Sequence, residues 1–153
     1  RCGHATNAAV LLLCELAALG DVGGSALTEA AYTVAGRLAR SGGVCRLRRL
    51  WSAGILPPTR RTREIFHEAA TNALEERSIE AAVEVATCEG SSADERADVY
   101  ADVGWAVCRL GKEALALSLL RKYEERELAE GGAGTLQERP YAALLKMYSS
   151  NER

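Results

Sequence analysis

The chain has 153 residues, of which 48% are hydrophobic and 26% charged, and its formal net charge is −2. A single domain of this length buries roughly 70% of the surface that its unfolded chain exposes, so a core can form without cross-links. The apolar share excludes intrinsic disorder. The aromatic content of 5%, together with the lack of β-branched runs, argues against a sheet protein.

The longest apolar stretch and the cysteines set further limits. The stretch covers residues 8–19, is interrupted by Glu15, and is shorter than the ~20 residues of a transmembrane helix, so no membrane span is predicted. The chain begins at Arg1 without a methionine, which indicates a processed or truncated product. The five cysteines form no CxxC pair, which favours free thiols in a reducing compartment. Cys2 and His4 lack the further ligands that a structural zinc needs, so we expect no metal.

Helical periodicity divides the chain into successive helices separated by glycine, proline or capping residues. The predicted helices cover, in chain order, residues 6–19, 27–40, 44–51, 62–74, 79–89, 92–110, 112–129 and 140–148. Ser92 with Glu95, and Thr135 with Glu138, have the spacing of a helix capping box. Pro140 suits the first turn of the last helix. These signals predict an all-α fold of about seven helices.

Aromatic residues recur at a fixed interval. Tyr32, Phe66 and Tyr100 are spaced 34 residues apart. The helical pattern is interrupted eleven residues after each of them, at Gly43, Arg77 and Gly111. Amphipathic helix pairs that repeat in this way bury their apolar faces only by stacking, which predicts an α-solenoid of antiparallel helix pairs. An ordinary helical bundle with a coincidental spacing is the alternative.

The predicted repeats form a single domain over residues 1–153. Its parts are a partial N-terminal repeat at 1–24, helix pairs at 27–58, 60–90 and 92–130, and the start of a further repeat at 135–153.

Three stretches of the chain resemble the pentatricopeptide-repeat family: residues 100–103 with 109–115, residues 140–148, and the Gly-Ile-Leu-Pro sequence at 54–57. The resemblance covers about residues 27–150. The resemblance is degenerate, since the helix after Gly43 is about one turn short and the interval from Tyr100 to Tyr141 is 41 residues. The tetratricopeptide family shares the period, but its Trp-x-x-Leu-Gly-x-x-Tyr helix is not found, so it ranks second.

The resemblance also carries expectations about function. RNA-reading members of the family select bases with the residue after the opening aromatic, which here is Thr33, His67, Ala101 or Ala142. Only the first two can hydrogen-bond through their side chains, so a base-by-base code is not expected. The resemblance implies a non-catalytic scaffold in a ribonucleoprotein of the mitochondrion or plastid, such as a mitochondrial ribosome, with ribosomal RNA and neighbouring protein subunits as partners.

Positive charge is concentrated in one segment. Residues 37–63 contain eight arginines and no acid, whereas the rest of the chain carries 11 basic and 21 acidic residues. The arginines are Arg37, Arg40, Arg46, Arg48, Arg49, Arg60, Arg61 and Arg63. Guanidinium groups bind phosphate in a bidentate fashion and release counterions from RNA, so this cluster predicts RNA-phosphate contacts. The alternative is that the arginines pair with acidic neighbouring helices or with an acidic protein.

Three further residues are candidate contacts on one shared surface. If the repeats stack, Thr33, His67 and Trp105 come from equivalent stripes of successive helices, and Trp105 either stacks on a base or belongs to the core. We interpret His67, which stands beside Glu68, as a surface residue and not as a general base. No phosphate-binding loop or catalytic constellation is present in the sequence, so we expect no enzyme activity, no cofactor and no small-molecule substrate. A protein-binding adaptor without RNA is the alternative function.

Overall fold

The fold is all-α in the computed structural model, which describes residues 2–20 and 25–151. Over those residues there are eight α-helices and no strand, which confirms the predicted all-α class, and each of the eight predicted helical ranges overlaps one of them. The helices are α1 (Cys2–Ala18), α2 (Ser25–Arg40), α3 (Val44–Ser52), α4 (Arg60–Asn72), α5 (Glu76–Ala86), α6 (Ala93–Arg109), α7 (Glu113–Gly131) and α8 (Arg139–Asn151). A 3-10 turn, Gly132–Thr135, lies between α7 and α8.

Helix ends follow the predicted capping signals at one site and depart from them at another. Ser92 Oγ accepts a hydrogen bond from the Glu95 backbone N–H at 3.1 Å and caps α6 as predicted. The prediction that Thr135 caps the last helix is wrong, because its hydroxyl donates to the carbonyl oxygen of Glu127 at 3.2 Å and α8 begins only at Arg139. Pro140 lies in the first turn of α8, as expected.

Helices contact both their sequence neighbours and the helix after next. Along one row α2 packs on α4, α4 on α6 and α6 on α8, and along the other α1 packs on α3 and α3 on α5. The finer prediction of a linear stack of antiparallel pairs stays a prediction. In the described part of the chain, no helix combines the length and apolarity that crossing a membrane requires.

One hydrophobic core runs through the described helices. Tyr32, Phe66 and Tyr100 are all buried in it, and it extends from Val10 on α1 to Leu144 on α8. Edge-on packing joins Phe66 to Trp51 of α3, with ring centroids 6.1 Å apart. The three periodic aromatics are therefore all core residues, on α2, α4 and α6.

The turn between α2 and α3 is fixed by a close approach of two backbones. Gly42 has a positive φ of 71°. A Cβ added there would lie 2.7 Å from the carbonyl oxygen of Asn72 at the end of α4, so no side chain fits. The Asn72 amide donates in return to the Ala39 carbonyl oxygen at 3.2 Å. This contact holds the arginine-bearing ends of α2 and α3 against the next helix pair.

Candidate anion-binding site

The eight predicted arginines come from three helices. Arg37 and Arg40 occupy the last turn of α2, where a positive charge interacts favourably with the negative end of the helix dipole. On α3, Val44, Leu47 and Leu50 are buried. The positions between them, Arg46, Arg48 and Arg49, consequently face outward. The other three arginines lie in the first turn of α4.

The α4 arginines are engaged within the chain. Arg63 is buried, and its Nε donates to Glu95 Oε2 of α6 at 3.0 Å. Arg61 pairs with Glu29 of α2 at 3.0 Å. Its guanidinium also lies over the Tyr32 ring, 4.0 Å from the centroid. For these residues the structure favours the interpretation in which the arginines pair with neighbouring acidic helices.

Arg60 has a weaker, local partner. Its Nε lies 3.1 Å from Glu64 Oε1 one turn further along α4, and both side chains are largely exposed. Exposed pairs of this kind contribute little because water screens them. Arg60 is therefore more accessible to a ligand than the buried Arg63, whereas Arg61 is exposed but held by both Glu29 and the Tyr32 ring.

The five arginines of α2 and α3 have no such partners. Among the residues that the structure describes, none of these five forms an ion pair or a side-chain hydrogen bond; they are Arg37, Arg40, Arg46, Arg48 and Arg49. Arg46 is half-buried and the other four are exposed. We name these five residues the free arginine cluster.

An open groove brings part of this cluster together. It has a volume of about 730 Å³ and lies between α1, α2 and the start of α3. Arg37, Arg40 and Arg46 line it together with apolar side chains, among them Val34 and Leu38. The groove therefore offers positive charge beside an apolar floor. In the described lining there is no carboxylate to oppose an anionic ligand.

A second groove of about 540 Å³ lies beside α3. Arg46 and Arg49 line it, opposite Asn72 and the turn that joins α4 to α5. Glu75 in that turn adds one negative charge. Arg46 lines both grooves, so four members of the free arginine cluster, all but Arg48, border two adjoining grooves.

The predicted surface of Thr33, His67 and Trp105 is only partly assembled. His67 and Trp105 do line one groove of about 520 Å³, whereas Thr33 is not in its lining and donates instead to the Glu29 carbonyl oxygen at 3.0 Å. His67 Nε2 lies 2.9 Å from Asp102 Oδ2. Trp105 is half-buried, and Lys146 Nζ lies 5.4 Å from its ring centroid.

Acidic residues surround that groove. Glu64, Glu68 and Asp102 line it, against a single arginine, Arg109. Phosphates would be repelled there, which argues against base stacking on Trp105 in an RNA complex.

A buried ion pair between α6 and α7 was not predicted from the sequence. Arg96 of α6 and Glu127 of α7 are both buried, and Arg96 Nε lies 2.5 Å from Glu127 Oε1. The hydrogen bonds from Arg96 hold the pKa of the Glu127 carboxyl below its usual value, and Glu127 in turn raises the pKa of Arg96. Each of the two residues falls within the buried stripe of its helix. Two opposite charges at otherwise apolar positions were therefore the feature of the sequence that could have indicated this ion pair.

In residues 2–20 and 25–151, no group of three His, Cys, Asp or Glu side chains is arranged so that it could hold a metal ion. The Cys2 side chain lies outside the described residues, and so does the candidate pairing with His4. Cys14, Cys45, Cys88 and Cys108 are free thiols.

Comparison with protein-family models, curated proteins and solved structures found no match for the chain. The resemblance to pentatricopeptide repeats therefore rests on its sequence motifs alone.

Proposed function

We propose that this chain is a non-catalytic helical-repeat scaffold that contacts RNA phosphates through the free arginine cluster. Within this proposal, the complex is an organellar ribonucleoprotein such as a mitochondrial ribosome. That part depends only on the resemblance to pentatricopeptide repeats, and so does the placement in the mitochondrion or plastid.

The solenoid part of the proposal is supported by contacts that recur near the sequence period. Arg61 pairs with Glu29 at a separation of 32 residues, and Arg63 with Glu95 also at 32. His67 of α4 lies 2.9 Å from Asp102 of α6 at a separation of 35 residues. Such contacts between each helix and the one after next are expected where helix pairs stack in a row. In that arrangement, surfaces and not an enclosed cleft bind the partner.

The RNA part is carried by one observation: in the described part of the chain, five arginines of the acid-free segment 37–63 form no ion pair and no side-chain hydrogen bond. An unpaired guanidinium keeps its donors and its charge for a phosphate. Exposed arginines also release counterions when they bind a polyanion, which favours association at low salt. The three arginines of α4 contribute less because a carboxylate lies against each of them and offsets its charge toward a polyanion.

A charge-matched pair of variants tests this assignment. Arg48→Gln/Arg49→Gln removes two charges from the free arginine cluster, and Arg60→Gln/Arg61→Gln removes two from α4. Affinity for a single-stranded homopolymeric RNA would be measured by fluorescence anisotropy. The first variant should weaken binding at least about a hundredfold, since it removes two guanidiniums and each charge-assisted hydrogen bond contributes ~1.5–3 kcal/mol. The second should weaken it much less. Equal losses would mean that net charge alone acts and would contradict the assignment.

A protein adaptor is the second candidate function. The apolar floor of the groove between α1 and α2, with Val34 and Leu38 beside Arg37, also suits an acidic amphipathic helix. No RNA affinity at low salt, together with capture of an acidic helical peptide that Val34→Asp abolishes, would favour the adaptor over the scaffold for RNA.

A further inference from the structure

The row of odd-numbered helices is interrupted between α5 and α7. In this row α1 packs on α3 and α3 on α5, but in the described part of the chain α5 makes at most a marginal contact with α7. In the even-numbered row, the contact of α4 with α6 is less extensive than those of α2 with α4 and of α6 with α8. The chain is therefore thinly packed between the helices α1–α5, which we name the first block, and α6–α8, the second block.

Three cavities border the joint between the two blocks. A cleft of about 480 Å³ separates α5 from α7, and the buried side chains of Val83, Tyr100 and Leu119 form its floor. The groove of His67 and Trp105 lies between α4 and α6 and shares no lining residue with that cleft. A small cavity of about 90 Å³ lies between α4, α5 and α6. Space of this kind lets the two blocks move relative to each other without steric overlap.

Polar contacts connect the blocks where packing is thin. Arg63 of α4 and Glu95 of α6 form the least exposed of the ion pairs across the joint, with side chains 10% and 26% exposed. The contact of His67 with α6 crosses the joint as well. On the α7 side, Arg126 donates a hydrogen bond to the carbonyl oxygen of Thr87, the residue that follows α5.

Opposite charges face each other across the cleft. Glu80 and Glu84, together with Arg77, line its α5 side, and Lys122 and Arg126 line its α7 side. Lys122 Nζ lies 3.6 Å from Glu80 Oε1, and the two side chains are 52% and 38% exposed. Attraction between charges as exposed as these is screened by salt. Salt should therefore weaken the force that closes the cleft.

We propose that the joint between the two blocks is a hinge, and that the cleft between α5 and α7 opens when the attraction across it is lost. The contact of α4 with α6 is the axis, because its Arg63–Glu95 ion pair is shielded from solvent and is screened less. A small interface within one chain permits relative motion of the parts that it joins. Opening changes the angle between the free arginine cluster, which lies in the first block, and the second block. The proposal is independent of RNA binding.

Distances between spin labels test the hinge. Glu76→Cys on α5 and Glu125→Cys on α7, both at exposed positions, place one label on each side of the cleft in a chain whose five native cysteines are replaced by alanine. Arg48→Cys on α3 with Glu76→Cys is the control pair, because α3 packs on α5 within the first block. Pulsed electron paramagnetic resonance should show that salt shifts the first pair to longer distances and leaves the control pair unchanged.

Charge-matched variants test the cause of closure. Glu80→Gln/Glu84→Gln removes the acidic residues of the cleft and should lengthen the distance between the α5 and α7 labels already at low salt. Glu29→Gln/Glu64→Gln removes the same charge within the first block and should leave that distance unchanged.

Measurements on the chain with its native cysteines keep misfolding apart from rigidity. Circular dichroism should give wild-type helicity for each labelled chain. Small-angle X-ray scattering of the wild-type protein should show a radius of gyration that rises with salt at constant helicity. A single narrow distance between the α5 and α7 labels at every salt concentration would overturn the proposal, and so would a radius of gyration that salt leaves unchanged. Equal lengthening in both label pairs would also overturn it, because the whole chain would then flex without a hinge.

Discussion

Arg96 donates two hydrogen bonds to the carboxylate of Glu127, from Nε to Oε1 at 2.5 Å and from Nη2 to Oε2 at 3.2 Å. The pair joins α6 to α7 in the core. Arg96 also donates from Nη1 to the Ser91 carbonyl oxygen at 2.6 Å and reaches Glu130 at 3.1 Å. The buried guanidinium is thus fully hydrogen-bonded, which is the condition under which a buried ion pair is tolerated.

Removing one partner of this pair should destabilise the protein strongly. Glu127→Gln leaves the buried Arg96 with only Glu130 as a counter-charge, so we expect a loss of about 3 kcal/mol in the free energy of unfolding. The double variant Arg96→Met/Glu127→Leu should recover most of it, since apolar replacements of similar volume need no counter-charge. Urea unfolding measures both. A Glu127→Gln protein as stable as wild type would contradict the role of the pair.

The same carboxylate should make stability depend on pH. The hydrogen bond from Arg96 is the main cause that lowers the pKa of Glu127 in the folded protein. A lowered pKa means that the unfolded chain binds the proton more readily. The contribution of Glu127 to the free energy of unfolding is therefore complete at pH values above its ordinary pKa of ~4.3. It is lost as the pH falls through the lowered pKa of the folded protein.

The measurement for this prediction is the difference in unfolding free energy between wild type and Glu127→Gln along an acid titration. The difference should be constant near neutral pH and should shrink below about pH 4. A difference that grows on acidification would show that the sign of the pKa shift is wrong.

The glycine turn after α2 gives a test of backbone packing with its own internal control. Gly42 and Gly54 both have positive φ, 71° and 74°. A Cβ at Gly42 would meet Asn72 backbone at 2.7 Å, whereas a Cβ at Gly54 meets nothing within 4 Å. Gly54→Ala should cost only the conformational strain, about 1 kcal/mol. Gly42→Ala should cost clearly more because the α4 end must also move. Equal losses of thermal stability would contradict this packing.

The cap of α6 should contribute measurably to stability. Ser92→Ala removes the acceptor of the Glu95 N–H and should cost about 1 kcal/mol of unfolding free energy. Ser92→Asp keeps an acceptor at the N-terminus of the helix and should be close to wild type. If the alanine and aspartate variants unfold alike, the cap contributes nothing.

Local patterns were sufficient for the helices and insufficient for the pairing of charges. The periodic aromatics and the Ser92 cap depend on residues close in sequence, so their positions were predictable. Glu95 was expected to complete a capping box, but its carboxylate lies on Arg63 of another helix. That contact depends on how α4 and α6 pack, and the sequence of either helix does not contain this information.

The arginines of the candidate site fall into a paired and an unpaired group for the same reason. All eight arginines look equivalent in the sequence, since no acid lies among them. Their pairing differs because α4 faces Glu29 of α2 and Glu95 of α6. Among the described residues the arginines of α2 and α3 form no ion pair, although Glu75 lines the groove beside Arg46 and Arg49. The Arg96–Glu127 pair was missed because single charges in apolar stripes are recognised as partners only when the two helices meet.

The salt dependence of single-stranded RNA binding tests the proposed function most directly. Each arginine–phosphate contact should contribute about −0.7 to the slope of the logarithm of the association constant against the logarithm of the salt concentration. If all five residues of the free arginine cluster engage RNA, the wild-type slope should be about −3.5, and replacing all five by glutamine should bring it close to zero. A slope that the five replacements leave unchanged, or no binding at low salt, would contradict the account.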